Sequence, residues 1–166
     1  MRIRETRRED LKRIEEIYVI AREFMAAHGN PNQWGPTGWP HMSVIEEDIE
    51  LGRSFVCVDD DDNVIGTFCY IYGKDIELSY VDIENGSWHD DSPYGVIHRI
   101  ASDGTVKGTG TFCIRWALSQ CGHMRIDTHT DNVTMQRLLE NLGFEARGII
   151  YVKEDNYPRI AYEKYD

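Results

Sequence analysis

Basic residues are scarce in this 166-residue chain: 18 lysines and arginines stand against 29 aspartates and glutamates, which gives a formal net charge of −11. Nucleic acids and anionic membrane surfaces attract proteins through clustered positive charge, so this balance argues against both as partners. An acidic surface suits a cationic small molecule, but it is also a common solubility feature. The charge thus excludes two partner classes and leaves the ligand open.

Long apolar runs and paired cysteines are also absent. No apolar run reaches the roughly 18 residues that a membrane span requires, and charged residues follow Met1 directly. The cysteines Cys57, Cys69, Cys113 and Cys121 are widely spaced in apolar segments and form no CxxC pair. This spacing favours buried thiols over a zinc or redox site. We therefore expect a soluble cytoplasmic protein without a metal.

Repeats and linkers are missing as well, so we expect one domain over residues 1–166. An apolar content of 41% is enough for a core. Apolar spacings of three and four predict helices, and alternating or continuous apolar runs predict strands. The resulting order is β, α, α, β, β, β, α, β, α, β, β. This order predicts an α/β protein with a mixed sheet and helices on both faces.

Helix starts are predicted from capping residues. Thr6 and Glu9 have the spacing of a capping box for the first helix. Ser43 is expected to cap a helix over about 44–51, and Thr130 or Asp131 is expected to cap the last helix. Residues 74–93 look like a loop insertion, and Asp59 to Asp62 look like a solvated hairpin tip.

A glycine-containing loop joins a strand to a helix in "YGVIHRIASDGTVKGTGTFCIRWALSQ", residues 94–120. Exposed amides in the first turn of a helix, together with glycines that admit close approach, favour binding of a phosphate group. The amides would come from Val106 to Thr111. Tight packing of helix on strand is the alternative role for Gly108 and Gly110. The P-loop pattern is not met, and a Rossmann fingerprint lacks its third glycine.

Two stretches of the chain resemble the GNAT family of acetyl-CoA-dependent N-acetyltransferases. They are Lys107-Gly108-Thr109-Gly110, between the strand "GVIHRIAS" and an apolar helix, and "DNVTMQRLLENLGFEARG", with its Asn-initiated helix ending in Leu-Gly-Phe. The resemblance runs through nearly the whole chain. It implies the GNAT-like acyl-CoA N-acyltransferase fold, in which a mostly antiparallel sheet splays between two parallel strands.

The resemblance also implies where acetyl-CoA, the co-substrate, would bind. Its pyrophosphate would lie on the loop, and its pantetheine arm would pair with a strand edge as an added strand does, in the gap between the strands 98–101 and 125–128. Asn132 would contact it from the neighbouring helix. The implied cofactor-binding residues are Ile100, Ala101, Ser102, Val106, Lys107, Gly108, Thr109, Gly110, Thr111 and Asn132.

This chain departs from the family pattern at two positions. Thr105 stands where the family's loop usually carries Arg or Gln, which removes one expected phosphate contact. Leu139 stands where many members carry the tyrosine that protonates the leaving thiolate. Tyr94 and Tyr151 are candidate replacements, with ordinary strand aromatics as the alternative.

Acetyl transfer to an amine is helped by a base, because an alkyl ammonium with a pKa near 10.4 is only about a thousandth deprotonated at pH 7. His98, inside the strand before the loop, is the candidate base, with a buried structural histidine as the alternative. Asp127 and His129 alternate along the neighbouring predicted strand and would orient the His98 imidazole. An ion pair of Arg125, Asp127 and Arg99 that stiffens the sheet is the competing interpretation. No cysteine lies in a plausible nucleophile setting, which favours direct attack in a ternary complex.

Aromatic residues in irregular segments are candidates for binding the acceptor. Trp34, Tyr80 and Trp88 would offer ring faces to a cationic amine, as would Trp39; anchoring of the long loops to the core is the other interpretation. The predicted function is therefore acetylation of a primary amine of a small molecule or peptide. A non-catalytic acyl-CoA sensor and an ATP-binding protein are the alternatives, and a homodimer is left open.

Overall fold

The computed structural model describes residues 1–153 and 155–166. Within these residues, seven strands and four helices follow one another in the predicted order. Their bounds are β1 Arg2–Glu5, α1 Leu11–Ala27, α2 Met42–Glu50, β2 Ser54–Val58, β3 Val64–Gly73, β4 Tyr94–Ser102, α3 Thr109–Cys121, β5 His123–His129, α4 Val133–Asn141, β6 Glu145–Tyr151 and β7 Pro158–Tyr165. Two short 3₁₀ turns add to these, at Arg8–Asp10 and Leu78–Tyr80.

The strands form one mixed sheet in the hydrogen-bonded order β1-β2-β3-β4-β5-β7-β6. β4 and β5 are parallel, whereas β1–β2, β2–β3, β5–β7 and β6–β7 are antiparallel. Among the described residues, the parallel register consists of two pairs, Gly95–Met124 and Val96–Arg125. The predicted mixed α/β fold is confirmed. By its internal contacts the chain divides into two compact units, Met1–Tyr70 with Ile97–Trp116, and Ile71–Val96 with Ala117–Asp166.

The core of the first unit lies under α1 and α2. Ile14, Ile17 and Tyr18 recur at helical spacing on α1 and are at most 2% exposed. They pack with Ile45 of α2 and with Val56, Val58, Val64 and Ala101 from the strands. Gly66 on β3 allows a close approach, because a Cβ there would lie 2.8 Å from Thr109 Cγ2. The first residue of α3 is thereby held against the sheet.

The second unit has its own core, and the irregular segment 74–93 contributes to it. Tyr80 and Tyr94 are each 2% exposed and pack with Val96, Ile150 and Ala161. Ile76, Ile83, Trp88 and Val152 cover this cluster. Glu84 forms an isolated bridge with Ile149 of β6. The segment predicted as a loop insertion is therefore partly a layer of the core.

Three predicted helix caps are wrong. The Arg7 amide donates to the Asp10 carboxylate at 2.7 Å, while the buried Thr6 hydroxyl accepts from Ser54. Ser43 lies inside α2, which begins one residue earlier. α4 is capped by Asn132, whose Oδ1 accepts from the Met135 amide at 3.1 Å. Thr130 and Asp131 form the turn before it instead, because β5 extends through His129.

In the described part of the chain, no helix has the length and apolarity needed to cross a bilayer. Those residues also contain no group of three His, Cys, Asp or Glu side chains placed to hold a metal ion. The Asp59 to Asp62 run forms the turn between β2 and β3, where the Asp59 carboxylate accepts from the amides of Asp61 and Asn63.

Candidate functional site

β4 carries the candidate base and the candidate pantetheine-binding residues within the first unit. His98 is half-buried, as are Ile100 and Ser102, whereas Ala101 is buried in the core. The strand ends where the Asp103 amide donates to the Ile65 carbonyl of β3 at 3.0 Å. His98 and the backbone of Ile100 to Ser102 are therefore neighbours along one strand, separated by Arg99.

Arg99 has a left-handed backbone, with φ at +52°, in the middle of β4. This conformation is uncommon for a residue other than glycine, and it persists only where surrounding contacts enforce it. Tyr18 of α1 donates its hydroxyl proton to the Arg99 carbonyl at 2.8 Å. Burial raises the pKa of Tyr18, so its hydroxyl stays protonated and acts as a donor.

The Arg99 side chain is held by a buried carboxylate. Arg99 Nη2 lies 2.5 Å from Asp48 Oδ2, and Arg53 Nε donates to Asp48 Oδ1 at 2.7 Å. The Asp48 side chain is only 1% exposed. Both carboxylate oxygens thus bind a guanidinium, which compensates for the burial of the charge. The left-handed backbone at Arg99, called here the bend of β4, is contacted by α1 through the Arg99 carbonyl and by α2 through the Arg99 side chain.

The loop after β4 is braced before its glycines. Asp103 Oδ1 accepts from the amide and the hydroxyl of Thr105, at 2.9 and 2.7 Å. Its other oxygen lies 2.5 Å from Arg13 Nη2, and Arg13 Nε donates to the Val64 carbonyl at 3.1 Å. Thr105 thus helps to shape the loop.

The glycine loop opens α3 as the sequence predicts, and the helix begins at Thr109. The Thr109 hydroxyl donates to the Val106 carbonyl at 2.8 Å, and Phe112 N donates to Gly108 O at 2.9 Å. The amides of residues 109–111 therefore precede the helical hydrogen-bond ladder. Gly108 has φ at +90°, and a Cβ built there would meet no atom within 4 Å. The backbone at Gly108 is open to a ligand, and the Lys107 side chain is exposed.

In the second unit, the structure brings together three of the predicted residues. The Tyr80 hydroxyl donates to Asp127 Oδ2 at 2.7 Å, and Trp88 Nε1 donates to the Tyr80 carbonyl at 2.8 Å. Burial, followed by the Asp127 charge, raises the pKa of Tyr80 well above its usual value. Tyr80 therefore orients the Asp127 carboxylate by a hydrogen bond.

The aromatic faces near Tyr80 already receive a cation from the chain itself. The Arg125 guanidinium lies 4.4 Å from the Trp88 ring centroid and 4.3 Å from that of Tyr94. Arg125 Nε also donates to Glu163 Oε1 at 3.0 Å. The sequence did not predict Glu163 as the carboxylate that binds Arg125, nor Asp48 as the carboxylate that binds Arg99. At least one face of Trp88 thus anchors the segment to the sheet.

Glu163 of β7 is the centre of a buried polar cluster. In addition to the hydrogen bond from Arg125, its carboxylate forms a hydrogen bond with His123 Nε2 at 2.9 Å and accepts one from the His89 amide at 2.8 Å. Burial alone would raise the pKa of Glu163, but hydrogen bonds from His123, His89 and Arg125 lower it below its usual value. The cluster fastens the irregular segment around His89 to β7.

His129 is buried at the end of β5, with 2% of its surface exposed. Its Nδ1 accepts from the Asp131 amide at 3.0 Å, so the proton of the neutral ring lies on Nε2. Burial, and then the charge of Arg159, lowers the pKa of His129 below 6.5. These contacts favour the neutral imidazole, whose protonated Nε2 is buried without a hydrogen-bond partner among the described residues.

Other predicted residues lie in the following surroundings. The Asn132 side chain caps α4. Leu139 is fully buried, so the usual tyrosine position is part of the core. Tyr94 is buried, which raises its pKa, whereas Tyr151 is 41% exposed. Trp34 meets Tyr18 edge-on, with ring centroids 5.8 Å apart.

Sequence reasoning missed Tyr18, Asp48, Arg99 and Asp103 as site-shaping residues. One signal was present: Asp48 follows Ile45 by three residues and precedes Ile49, so a charge occupies the apolar side of a helix. A carboxylate in that position requires a buried cationic partner. The bend at Arg99 has no comparable signal, because nothing in "HRI" calls for a left-handed residue.

Many solved structures are similar to this chain, among them the following three. An acetyltransferase of the GNAT family from Streptococcus agalactiae is 30% identical with a TM-score of 0.88, over 99% of this chain and 95% of its own. A GNAT-family acetyltransferase from Listeria monocytogenes is 18% identical with a TM-score of 0.70, over 99% and 94%. A phosphinothricin acetyltransferase from Sinorhizobium meliloti, in complex with AcCoA, is 15% identical with a TM-score of 0.65, over 99% and 87%. A scan against protein-family models and a search of curated proteins found no match.

Proposed function

Because the chain belongs to the GNAT family of acetyltransferases, we propose that it moves the acetyl group of acetyl-CoA to a primary amine of a small molecule or peptide. Acetyl transfer as the class of reaction follows from the family. Acetyl-CoA as the donor, the amine acceptor and direct attack in a ternary complex are our proposals. A cytoplasmic location belongs with them, and the four cysteines without a CxxC pair favour it.

The observation that carries the proposal is the open backbone at Gly108 ahead of α3. An anionic pyrophosphate fits there, because helix-start amides and the helix dipole favour negative charge, and the absent Cβ leaves room. We assign the contacts to the amides of Val106 to Thr111, with Lys107 adding charge. The AcCoA complex of the Sinorhizobium meliloti relative supports this choice of donor.

Further contacts are proposed along β4 and at the start of α4. The backbone of Ile100, Ala101 and Ser102 would pair with the amide-rich pantetheine arm as a neighbouring strand would. Asn132 would reach the donor with the part of its carboxamide that does not cap α4. When bound, acetyl-CoA supplies a thioester carbonyl that an amine can attack.

His98 is proposed to take the proton from the acceptor ammonium, directly or through a water molecule. A neutral imidazole near pH 7 is suited to this step, and general base catalysis of this kind contributes about 10² to 10⁴ in rate. Asp127, whose carboxylate accepts from Tyr80, and His129 are proposed to orient the His98 imidazole. Trp34, Tyr80 and Trp88 are proposed to shape the pocket for the acceptor amine. Tyr80 does so by its hydrogen bond to Asp127, and Trp88 by its hydrogen bond to the Tyr80 carbonyl.

Thermal unfolding with added ligands tests the donor. We expect CoA and acetyl-CoA to raise the melting temperature and ATP with Mg²⁺ to leave it unchanged. Stabilisation by ATP with Mg²⁺ and none by CoA would overturn the proposal in favour of a nucleotide-binding protein. Mass spectrometry of amines incubated with the enzyme and isotopically labelled acetyl-CoA then tests the acceptor class. Binding without any acetylated amine would instead favour a non-catalytic acyl-CoA-binding module.

A further inference from the structure

The bend of β4 at Arg99 separates two groups for which we have proposed roles. In a regular strand, residues 98 and 100 would point to the same face, because side chains alternate with a period of two. A left-handed residue between them interrupts this alternation and turns the strand. The conformation of Arg99 therefore decides how the His98 side chain stands relative to the backbone of Ile100 to Ser102.

Arg99 does not adopt this conformation by preference, since it has the Cβ that disfavours positive φ. Contacts from two helices enforce it. The Tyr18 hydroxyl binds the Arg99 carbonyl at 2.8 Å, and Asp48 binds the guanidinium at 2.5 Å. Tyr18 is 2% exposed and Asp48 is 1% exposed, so both contacts are shielded from water.

We propose that Tyr18 and Asp48 are positioning residues, which hold β4 bent at Arg99 and thereby set the geometry between His98 and the pantetheine-binding backbone of Ile100 to Ser102. This inference rests on the proposed function. We assign neither residue a contact with the reacting atoms or a proton exchange with the substrate. Their effect passes through the Arg99 carbonyl and the Arg99 side chain.

A purely structural role is the competing explanation, because a buried hydrogen bond and ion pair also stabilise a core. Tyr18→Phe removes the hydroxyl and keeps the ring. Ile17→Val is the matched control: Ile17 is the preceding residue of α1, is fully buried in the same cluster, and makes no hydrogen bond through its side chain. Both substitutions are expected to lower the melting temperature by comparable amounts.

The test is calorimetric titration with CoA, combined with steady-state kinetics, at a temperature where both variants are folded. We expect Tyr18→Phe to raise the Kd for CoA and the KM for acetyl-CoA about five- to tenfold, and to lower kcat as well. Ile17→Val should leave all three within about twofold of the unsubstituted protein. Amide exchange at Ile100 to Ser102, followed by NMR, should become faster in Tyr18→Phe only.

Equal CoA affinity and equal kinetics in Tyr18→Phe and Ile17→Val would overturn the positioning role. Asp48→Asn, which keeps the shape and removes the charge, is a second, independent variant: at a temperature where it is folded, the same changes in CoA affinity, kinetics and amide exchange are expected. Failure of the unsubstituted protein to bind CoA would instead overturn the proposed function, and the inference with it.

Discussion

Asp48 and Glu163 are two buried carboxylates with similar surroundings and different consequences. Asp48 lies within ion-pair distance of two basic side chains, Arg99 and Arg53. Glu163 lies within ion-pair distance of three, Arg125, His123 and Arg147. The side chains of both carboxylates are at most 3% exposed. Asp48 holds a residue whose backbone is bent within a strand, whereas Glu163 also accepts the His89 amide of an irregular segment. The same chemistry thus shapes a strand in one unit and fastens a loop in the other.

The effect of a buried carboxylate depends on the role of the basic residue that it binds. Arg99 lies between the proposed base and the proposed pantetheine-binding residues, so its partner Asp48 is expected to affect the reaction rate. Arg125 is covered by Trp88 and Tyr94 and lies in the core of its unit, so its partner Glu163 bears on stability. Substitutions in the two units should therefore separate rate from stability.

The largest effect on rate is expected at His98, next to the bend. His98→Ala should lower kcat at pH 7 by about 10² to 10⁴, because the acceptor ammonium loses its base. CoA affinity should stay within about twofold. Steady-state kinetics and calorimetric titration provide the two measurements. His28→Ala removes an exposed histidine of the same unit as a control and should leave kcat unchanged. Full activity of His98→Ala at pH 7 with intact CoA affinity would show that His98 is a structural histidine.

The largest effect on stability is expected at Glu163. Glu163→Gln leaves Arg125 and His123 buried without their carboxylate, which typically costs about 3–5 kcal/mol in the free energy of unfolding. Urea denaturation followed by circular dichroism measures it. Glu145→Gln is the control on β6, where the side chain is 77% exposed, and should cost less than about 0.5 kcal/mol. A loss below about 1 kcal/mol in Glu163→Gln would mean that the cluster contributes little to folding.

The order of helices and strands could be predicted from the sequence because it depends on periodicity. The stripe Ile14, Tyr18 and Ala21 and the alternation in "RIAYEKY" are local patterns with one interpretation each. The helix N-caps could not be predicted, because several residues with side-chain oxygens lie near each helix start. Thr6, for example, is drawn into the core by Ser54 of β2 and cannot cap α1. Only tertiary contacts decide between such residues.

The candidate site divides in the same way. The glycine loop could be predicted because strand, glycines and helix follow one another along the chain. The contacts that hold the loop and β4 could not be predicted, because they join residues far apart in the chain. Arg13 and Asp103 are 90 positions apart, and Tyr18 and Arg99 are 81 positions apart. The role of residues 74–93 was also hidden: Ile76, Tyr80 and Ile83 are spaced by four and three, as on a helix, but the segment contains only the 3₁₀ turn Leu78–Tyr80.

A smaller effect, on CoA affinity, is expected from replacing Gly108 in the glycine loop but not from replacing Gly52 in a turn of the same unit. Gly108→Ala and Gly52→Ala both place a Cβ at positive φ, +90° and +66°, with no atom within 4 Å. Each should cost about 1–2 kcal/mol in the free energy of unfolding. Only Gly108→Ala should also weaken CoA binding, by about tenfold, because its Cβ points into the proposed pyrophosphate site. Calorimetric titration measures the difference, and equal CoA affinity in both variants would argue against this site.

The smallest effect is a pH dependence at His129. Burial and the Arg159 charge lower its pKa in the folded protein, whereas the unfolded chain titrates near 6.5. Between these values the unfolded chain binds one proton more, so the free energy of unfolding falls as the pH is lowered from about 6.5. His129→Asn keeps an acceptor for the Asp131 amide and should flatten this part of the stability curve. An unchanged slope would mean that His129 is not the group that titrates.

The most direct test of the proposed acetyl transfer is CoA thiol release from acetyl-CoA, measured with polyamines, amino acids, aminoglycosides and peptides with free N-termini. We predict release that depends on one class of amine, saturates with it, and is lost in His98→Ala. Tight CoA binding without amine-dependent thiol release across the whole panel would contradict this prediction.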